Sequence, residues 1–362
     1  MYFFKIIKNK ELYKLRKYRI YKSLFLDYVK DPFKLFYVWK IHKKGFTVGM
    51  WNICKINNKN YKKYLSSKQY NKIHPINDYY SKLIDDKLNI KYIFYGTFLS
   101  SVMPNYYYLI DEKGIIHPMM DNENIELDSL EDIFSLLKKE KILALKLTTG
   151  SLGKGFYKLE WIEDKIKVNS TFVTKEGFFN IIKSCKNYVI TEYLLPHKDL
   201  ARLWPYTPNT IRYLVGRVGK DWRFIKGTIR IGTKESGEVE NFSRGGILSY
   251  VNENGEFSDG YIKDKSKNKY PKYEVIYKHP DTQIELKGKI PHWSKLQETV
   301  CSIVKLLPMT KYLGFDFVIT SKDEVKLLEI NSLSSLDALQ FDVPMWENEN
   351  GKWFFSEYVQ KN

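Results

Sequence analysis

Cysteine is scarce in this 362-residue chain: three residues, Cys54, Cys185 and Cys301, lie far apart, with no Cys-x-x-Cys pair. That pattern excludes a disulfide framework and a cysteine zinc site, and it suits a reducing compartment. Long apolar runs are missing as well. The opening MYFFKIIKNKELYKLRKYR carries too short a run for a signal peptide, and the longest uncharged stretch, residues 93–110, is broken by Gly96, Pro104 and Asn105. The expected setting is therefore the cytoplasm. No internal repeat is present, and no Ser/His/Asp arrangement stands out. Acids are almost absent from the first fifth of the chain. Residues 1–72 hold 19 Lys/Arg and only Glu11, Asp27 and Asp31 against them, whereas the other 290 residues hold 40 Lys/Arg and 39 acids. The formal charge of +17 is thus a property of a basic N-terminal module beside a near-neutral body.

A hydrophobic content of 43% and a charged content of 28% describe a globular chain long enough for more than one lobe. Residues 1–45 read as amphipathic helices broken at Asp31-Pro32. A helical piece from residue 79 runs into IFYGTF (93–98), which reads as a strand. Further helices are expected over 131–139, 175–186 and 291–307. Strands are expected over 142–148, 156–161, 188–195, 210–218, 222–231, 247–251, 311–320 and 324–332. A partner strand for 247–251 is expected after the turn Asn252-Glu253-Asn254-Gly255. Most strands meet through hairpins, so the expected class is α+β with mostly antiparallel sheets.

The last hairpin carries chemistry. Asp316 lies in GFDFVIT and Glu329 in EVKLLEIN, and a hairpin centred on Lys322-Asp323 sets them opposite each other. Asn331, two residues on, shares their face. Two carboxylates and an amide oxygen are hard ligands of the kind Mg²⁺ takes together with substrate phosphates. The alternative is that these acids cap strand ends and pair with Lys or Arg.

Upstream, Thr148-Thr149-Gly150-Ser151-Leu152-Gly153-Lys154-Gly155 follows a strand. Three glycines allow backbone N–H groups to turn inward on an anion, and Lys154 adds charge. A plain hairpin turn is the alternative. It is not a P-loop, because no Lys-Ser/Thr follows the last glycine. Lys146 sits inside the apolar strand, where a bare ammonium is costly, so either a phosphate or a buried glutamate is its partner.

In this order, Lys146, the loop Gly150–Gly155, the segment Glu192-Tyr193-Leu194-Leu195 and Asp316/Glu329/Asn331 resemble the ATP-grasp superfamily. A closer resemblance is to the sugar-transfer-associated ATP-grasp family, linked to bacterial surface polysaccharide biosynthesis. It rests on Asn209-Thr210-Ile211-Arg212, Arg230-Ile231-Gly232, Glu240-Asn241-Phe242-Ser243-Arg244-Gly245-Gly246-Ile247, His279-Pro280, Ile290-Pro291-x-Trp293 and Gln340. It covers roughly residues 85–340. Thr148-Thr149 departs from the Pro or Gly of many relatives. The resemblance implies ATP and Mg²⁺ as cofactors, with Asp316, Glu329 and Asn331 on the metal. Lys87, Lys146, Gly150, Ser151, Gly153, Lys154 and Gly155 would hold the nucleotide phosphates. Residues Glu192, Tyr193, Leu194 and Leu195 would hold adenine, with Glu192 or Asp199 near the ribose. Arg212 and Arg230 would stabilise the transferring phosphoryl group, and Asn241 would line the acceptor pocket. Four regions are expected: a basic helical module (1–72), a linking region (73–140), a small lobe with the glycine loop (141–195) and a C-terminal lobe (196–362).

The implied reaction is ATP-dependent joining of a carboxylate and an amine through an acyl phosphate, one partner being a sugar of capsular polysaccharide or lipopolysaccharide. Two other readings remain: a phosphotransferase acting on a glycan precursor, and a nucleic-acid binder using residues 1–72. The near-neutral body and the absence of a nucleic-acid motif argue against the last. The basic segment itself admits contact with an anionic membrane surface, contact with an acidic glycan or a partner glycosyltransferase, or a solvated helical face.

Overall fold

In the computed structural model, residues 14, 18, 21–22, 24–28, 34–121, 129–149, 155–263 and 273–360 are described. The expected break at Asp31-Pro32 lies outside them. Two seven-stranded sheets dominate, with every pairing antiparallel. The first runs β2 (Ile116–Pro118), β1 (Tyr106–Ile110), β7 (Tyr188–Glu192), β3 (Ile142–Leu147), β4 (Tyr157–Ile162), β5 (Lys165–Val168) and β6 (Thr171–Val173). It therefore begins well before residue 141. The second runs β13 (Tyr273–Ile276), β12 (Gly260–Lys263), β10 (Ile247–Val251), β9 (Asp221–Ile231), β8 (Ile211–Val218), β15 (Tyr312–Ile319) and β16 (Val325–Asn331). A two-stranded ribbon joins β11 (Glu256–Phe257) to β14 (Gly288–Lys289).

The α+β class and the antiparallel sheets are as the sequence predicts. Two local expectations fail. IFYGTF is not a strand: Lys87–Phe94 is a helix, its first N–H groups capped by the Asp86 carboxylate. Ile90 and Phe94 are buried one turn apart while Tyr92, Tyr95 and Phe98 are exposed, so the helical period governs, not the continuous apolarity. The segment after the Asn252–Gly255 turn does not pair with β10, because β11 departs to β14 and β12 takes its place.

Three apolar cores follow from this layout. The helices Leu130–Glu140 and Lys175–Ser184 bury Ile133, Leu137, Phe178 and Ile182 against the first sheet. The helix Trp293–Leu306 covers one face of the second sheet through Leu296, Val300 and Ile303. The opposite face is covered by N-terminal helices, Leu35–Lys43, Val48–Ile53 and Ser67–Ile73, and by the C-terminal helix Glu349–Gln360. Alternation along β8 makes this two-sided burial possible: Tyr213 and Val215 face one core, Leu214 the other.

The N-terminal helices are stitched to the body by buried polar side chains. Asn77 accepts from the N–H groups of Lys311 and Tyr312, at 2.7 and 2.9 Å, and donates to Tyr312 O at 2.6 Å. The fully buried Gln340 accepts from Leu65 N–H at 2.9 Å and Met345 N–H at 3.1 Å, and donates to Leu65 O at 3.2 Å. Gln340→Leu would strand those backbone groups at a cost of about 2–4 kcal/mol. The expected outcome is a lower urea midpoint at unchanged slope, with faster proteolysis near Leu65; an unchanged midpoint refutes the role.

Candidate active site

Asp316 sits on the second sheet, one strand in from its β16 edge. It lies on β15, whose residues are all buried, between Phe315 and Phe317. Arg212 faces it from β8 and Glu329 from β16. Arg230 reaches it from β9, two residues beyond Thr228, the partner of Arg212. Arg212 grips the Asp316 carboxylate with two nitrogens, its Nε donating to Oδ1 and its Nη2 to Oδ2 at 2.9 Å; Arg230 adds a bond to Oδ2 at 2.7 Å. Burial pushes the Asp316 carboxyl upward, but the two guanidinium groups outweigh it and hold the group well below the usual carboxylate range.

Glu329 meets Asp316 by a device the sequence hides. From Ile319/Val325 to Phe317/Leu327 the hairpin is symmetric about Lys322, not about Lys322-Asp323. At that register Asp316 would face Leu328. A bulge after Phe317 takes up Leu328 as the extra residue, and Glu329 then falls opposite Asp316. Asn331 follows on the same face and donates to Glu329 at 3.2 Å.

The second wall comes from the N-terminal helix of the cleft and the first sheet. Lys87, at the start of its helix, pairs with Glu329 at 2.7 Å. Lys91, one turn on, pairs with Asp121 at 2.5 Å and donates to Pro104 O. Lys146 projects from β3, its ammonium 5.4 Å from the Tyr106 ring. Among the described residues no carboxylate pairs with it. Burial, then the neighbouring Lys87 ammonium, lowers its pKa to about 7, while Glu329 pulls the other way. The Tyr106 hydroxyl and Arg230 Nε are buried there without a hydrogen-bond partner among the described residues.

Lys87, Lys146, Arg230, Asn241, Asp316 and Glu329 line one cavity with Glu192, Tyr193 and Leu194. Sheet pairing of β7 stops at Glu192, and among the described residues the Leu194 peptide groups take no hydrogen-bond partner. The structure thus brings together most of the residues singled out from the sequence. Leu195 is exposed and outside the lining. Asp199 is also outside, an exposed side chain 3.6 Å from His197. Gly150, Ser151, Gly153 and Lys154 lie outside the described residues. Gly155 has a φ of 68°, where an added Cβ would collide with the Tyr188 hydroxyl.

Sequence reasoning assigned no role to Glu238 and Glu240 on the opposite wall, and missed Lys91, which its i+4 spacing from Lys87 could have revealed. From sequence, the loop settings of His197 and His292 suggest a structural or an acceptor-binding role. Both approach Asp323, at 3.0 and 3.5 Å. Asp199 N–H donates to His197 Nδ1, which leaves the His197 proton on Nε2, facing Asp323. That tautomer makes the group a hydrogen-bonded latch between the Glu192–His197 segment and the β15–β16 turn.

Hard oxygens at Glu329, Asn331 and Asp316 fit a divalent ion such as Mg²⁺, with the cations now paired to them standing in its place. The family described as sugar-transfer associated ATP-grasp matches residues 66–344. No curated protein matches the chain. Among solved structures, D-alanyl-alanine synthetase A from Vibrio cholerae is 11% identical with a TM-score of 0.42, over 81% of this chain and 66% of that one. The ATP-grasp ligase PsnB complexed with a minimal precursor is 9% identical at 0.40, over 79% and 64%. A Chryseobacterium gregarium RiPP-associated ATP-grasp ligase in complex with ADP, leader and core peptide is 10% identical at 0.37, over 78% and 61%. The chain thus spans about two thirds of the length of these structures, or slightly less.

Lys146 generates a pH signature. Unliganded, it loses its proton near pH 7, and a bound phosphate requires the charged form. Its contribution to ADP affinity is complete below pH 7 and falls about tenfold per pH unit above it, until the raised pKa of the complex is passed. Calorimetry at pH 8 in two buffers of different ionisation enthalpy is expected to register proton uptake on binding. Lys146→Gln is expected to bind more weakly and to abolish the uptake.

Proposed function

The chain belongs to the sugar-transfer associated ATP-grasp family, and on that premise we propose that it joins a carboxylate to an amine at the expense of ATP. We take one partner to be an amino acid or similar small acid or amine, and the other a sugar of a bacterial capsular or lipopolysaccharide chain. The observation that carries the chemistry is the charge of the cleft floor. Lys87, Lys146, Arg212 and Arg230 gather around Asp316 and Glu329, a cluster of cations of the kind that receives a polyphosphate, while Glu192, Glu238 and Glu240 line other parts of the cavity.

In this reading the adenine ring lies against Tyr193 and the open peptide groups of Leu194. Its exocyclic amine and the ribose hydroxyls are donors, and Glu192, Glu238 and Glu240 are acceptors on that wall. Lys146, with Lys87, takes the phosphates. Glu329 and Asn331, with Asp316, would hold Mg²⁺, which when bound neutralises phosphate charge. The substrate carboxylate attacks the γ-phosphorus, and ADP leaves. Arg230, with its Nε still unpaired, is placed to stabilise charge on the transferring group. The amine then attacks the acyl carbon, an amide forms, and inorganic phosphate departs. Asn241 lines the acceptor side. ATP and reduced cysteines both suit work in the cytoplasm. The sugar partner rests on the family's description alone, and a glycosyltransferase is the natural neighbour for such a product.

ADP release screened against pairs of amino acids and amino or uronic sugars tests the reading. One acid–amine pair is expected to stimulate release with one phosphate per amide. Glu329→Gln is expected to lower the rate by at least about a hundredfold, as loss of a charge-stabilising group does. Phosphate retained on the product in mass spectra sinks the ligase in favour of a phosphotransferase, and no stimulation by any pair sinks both.

A further inference from the structure

The helix Leu35–Lys43 has two faces, and the ligase chemistry uses neither. Val38 and Ile41 point inward to the core shared with β8, β9 and the C-terminal helix. The opposite face, which in a globular protein is ordinarily polar, carries Phe36 and Trp39, 66% and 48% exposed. Their rings stack at 5.8 Å. Lys40 lies 4.4 Å from the Phe36 ring and Lys43 5.2 Å from the Trp39 ring. Leu35 flanks them, also exposed. The preceding helical residues add Phe25 and Leu26, exposed, with Lys22 beside them.

This surface is held in place. Asp27 is buried and receives Val48 N–H at 2.7 Å and pairs with His42 at 2.9 Å, while Tyr28 packs edge-on against His42. Asp27 therefore points inward, while Phe25 and Leu26 point outward. One of only three acids in residues 1–72 is spent internally, and among the described residues of this segment no carboxylate is exposed.

We propose that this face docks on an anionic lipid bilayer, with Leu35, Phe36 and Trp39 entering the headgroup region and Lys40 and Lys43 meeting lipid phosphates. Trp and Phe beside Lys on one helical face match the interfacial zone, where rings leave water while ammonium groups stay wet. Lysines and aromatic rings together would also serve a nucleic acid or an acidic glycan, but the exposed aliphatic Leu26 and Leu35 have no stacking role there and suit a bilayer. The +16 balance of residues 1–72 complements the negative surface potential of such a leaflet. The docking is independent of the ligase reading, because no residue of this helix lines the cleft.

The full chain is mixed with vesicles of phosphatidylglycerol and phosphatidylethanolamine, or of phosphatidylcholine alone, and sedimented. Binding is expected on the anionic vesicles and not on the neutral ones. Lys40→Ser and Lys43→Ser are each expected to lower partitioning about fivefold. Phe36→Ser with Trp39→Ser is expected to lower it at least tenfold, with the thermal midpoint and ADP affinity unchanged, since both side chains are exposed. Equal binding by the variants overturns the proposal. So does retention by RNA or a soluble polyuronate while the vesicles stay bare.

Discussion

A carboxylate flanked by Phe315 and Phe317 and almost wholly withdrawn from water has to be neutralised where it stands. Asp316 meets that demand with Arg212 and Arg230, drawn from the two next strands. The consequence spreads outward. The register of β8, β9 and β15 is fixed by charge as well as by apolar alternation, since a slip of one residue would leave three ions buried without partners. Such a loss costs about 3–5 kcal/mol even for one partner. Glu329, Lys87 and Lys146 then assemble around a charge that is already in place, and the cleft inherits its polarity from the sheet.

Much of this was legible in the chain. The facing of Asp316 and Glu329 followed from hairpin logic, and the antiparallel α+β architecture followed from turn spacing. The pairing came out right although the assumed centre of symmetry did not, because the bulge supplied the missing half-step. Lys87 was visible only through family resemblance. Nothing near it marks a lysine at a helix start as functional when its partner lies more than 240 positions away. IFYGTF misled because a short apolar run has no period of its own, and the Asp86 cap decided the matter. Glu240 entered only as part of the Glu240–Ile247 resemblance, without a role, and Glu238 not at all, because an acid in a loop looks like solvated surface until the fold builds a cavity beside it.

The described helices of the basic N-terminal fifth pack on the second sheet. Asn77 and Tyr70 tie them to the strand that bears Asp316, Tyr70 reaching Tyr312 at 3.2 Å and Ser334 O at 2.6 Å, while Gln340 ties Leu65 to Met345. The two ends of Tyr312–Ile319 thus serve different masters: one anchors the N-terminal helices, the other the latch at His197.

The extra residue at Leu328 does more than correct a register. In a regular strand, neighbours point to opposite sides, so a carboxylate cannot have its own sequence neighbour beside it. The bulge suspends that rule, and Leu328 lines the same cavity as Glu329. An aliphatic wall therefore stands directly against the polar floor. For a mixed anhydride held there, the threat is not slow formation but interception by water before the amine arrives. Under the ligase chemistry proposed above, this one surplus leucine would keep water from the activated acid and so limit the nucleotide spent without product.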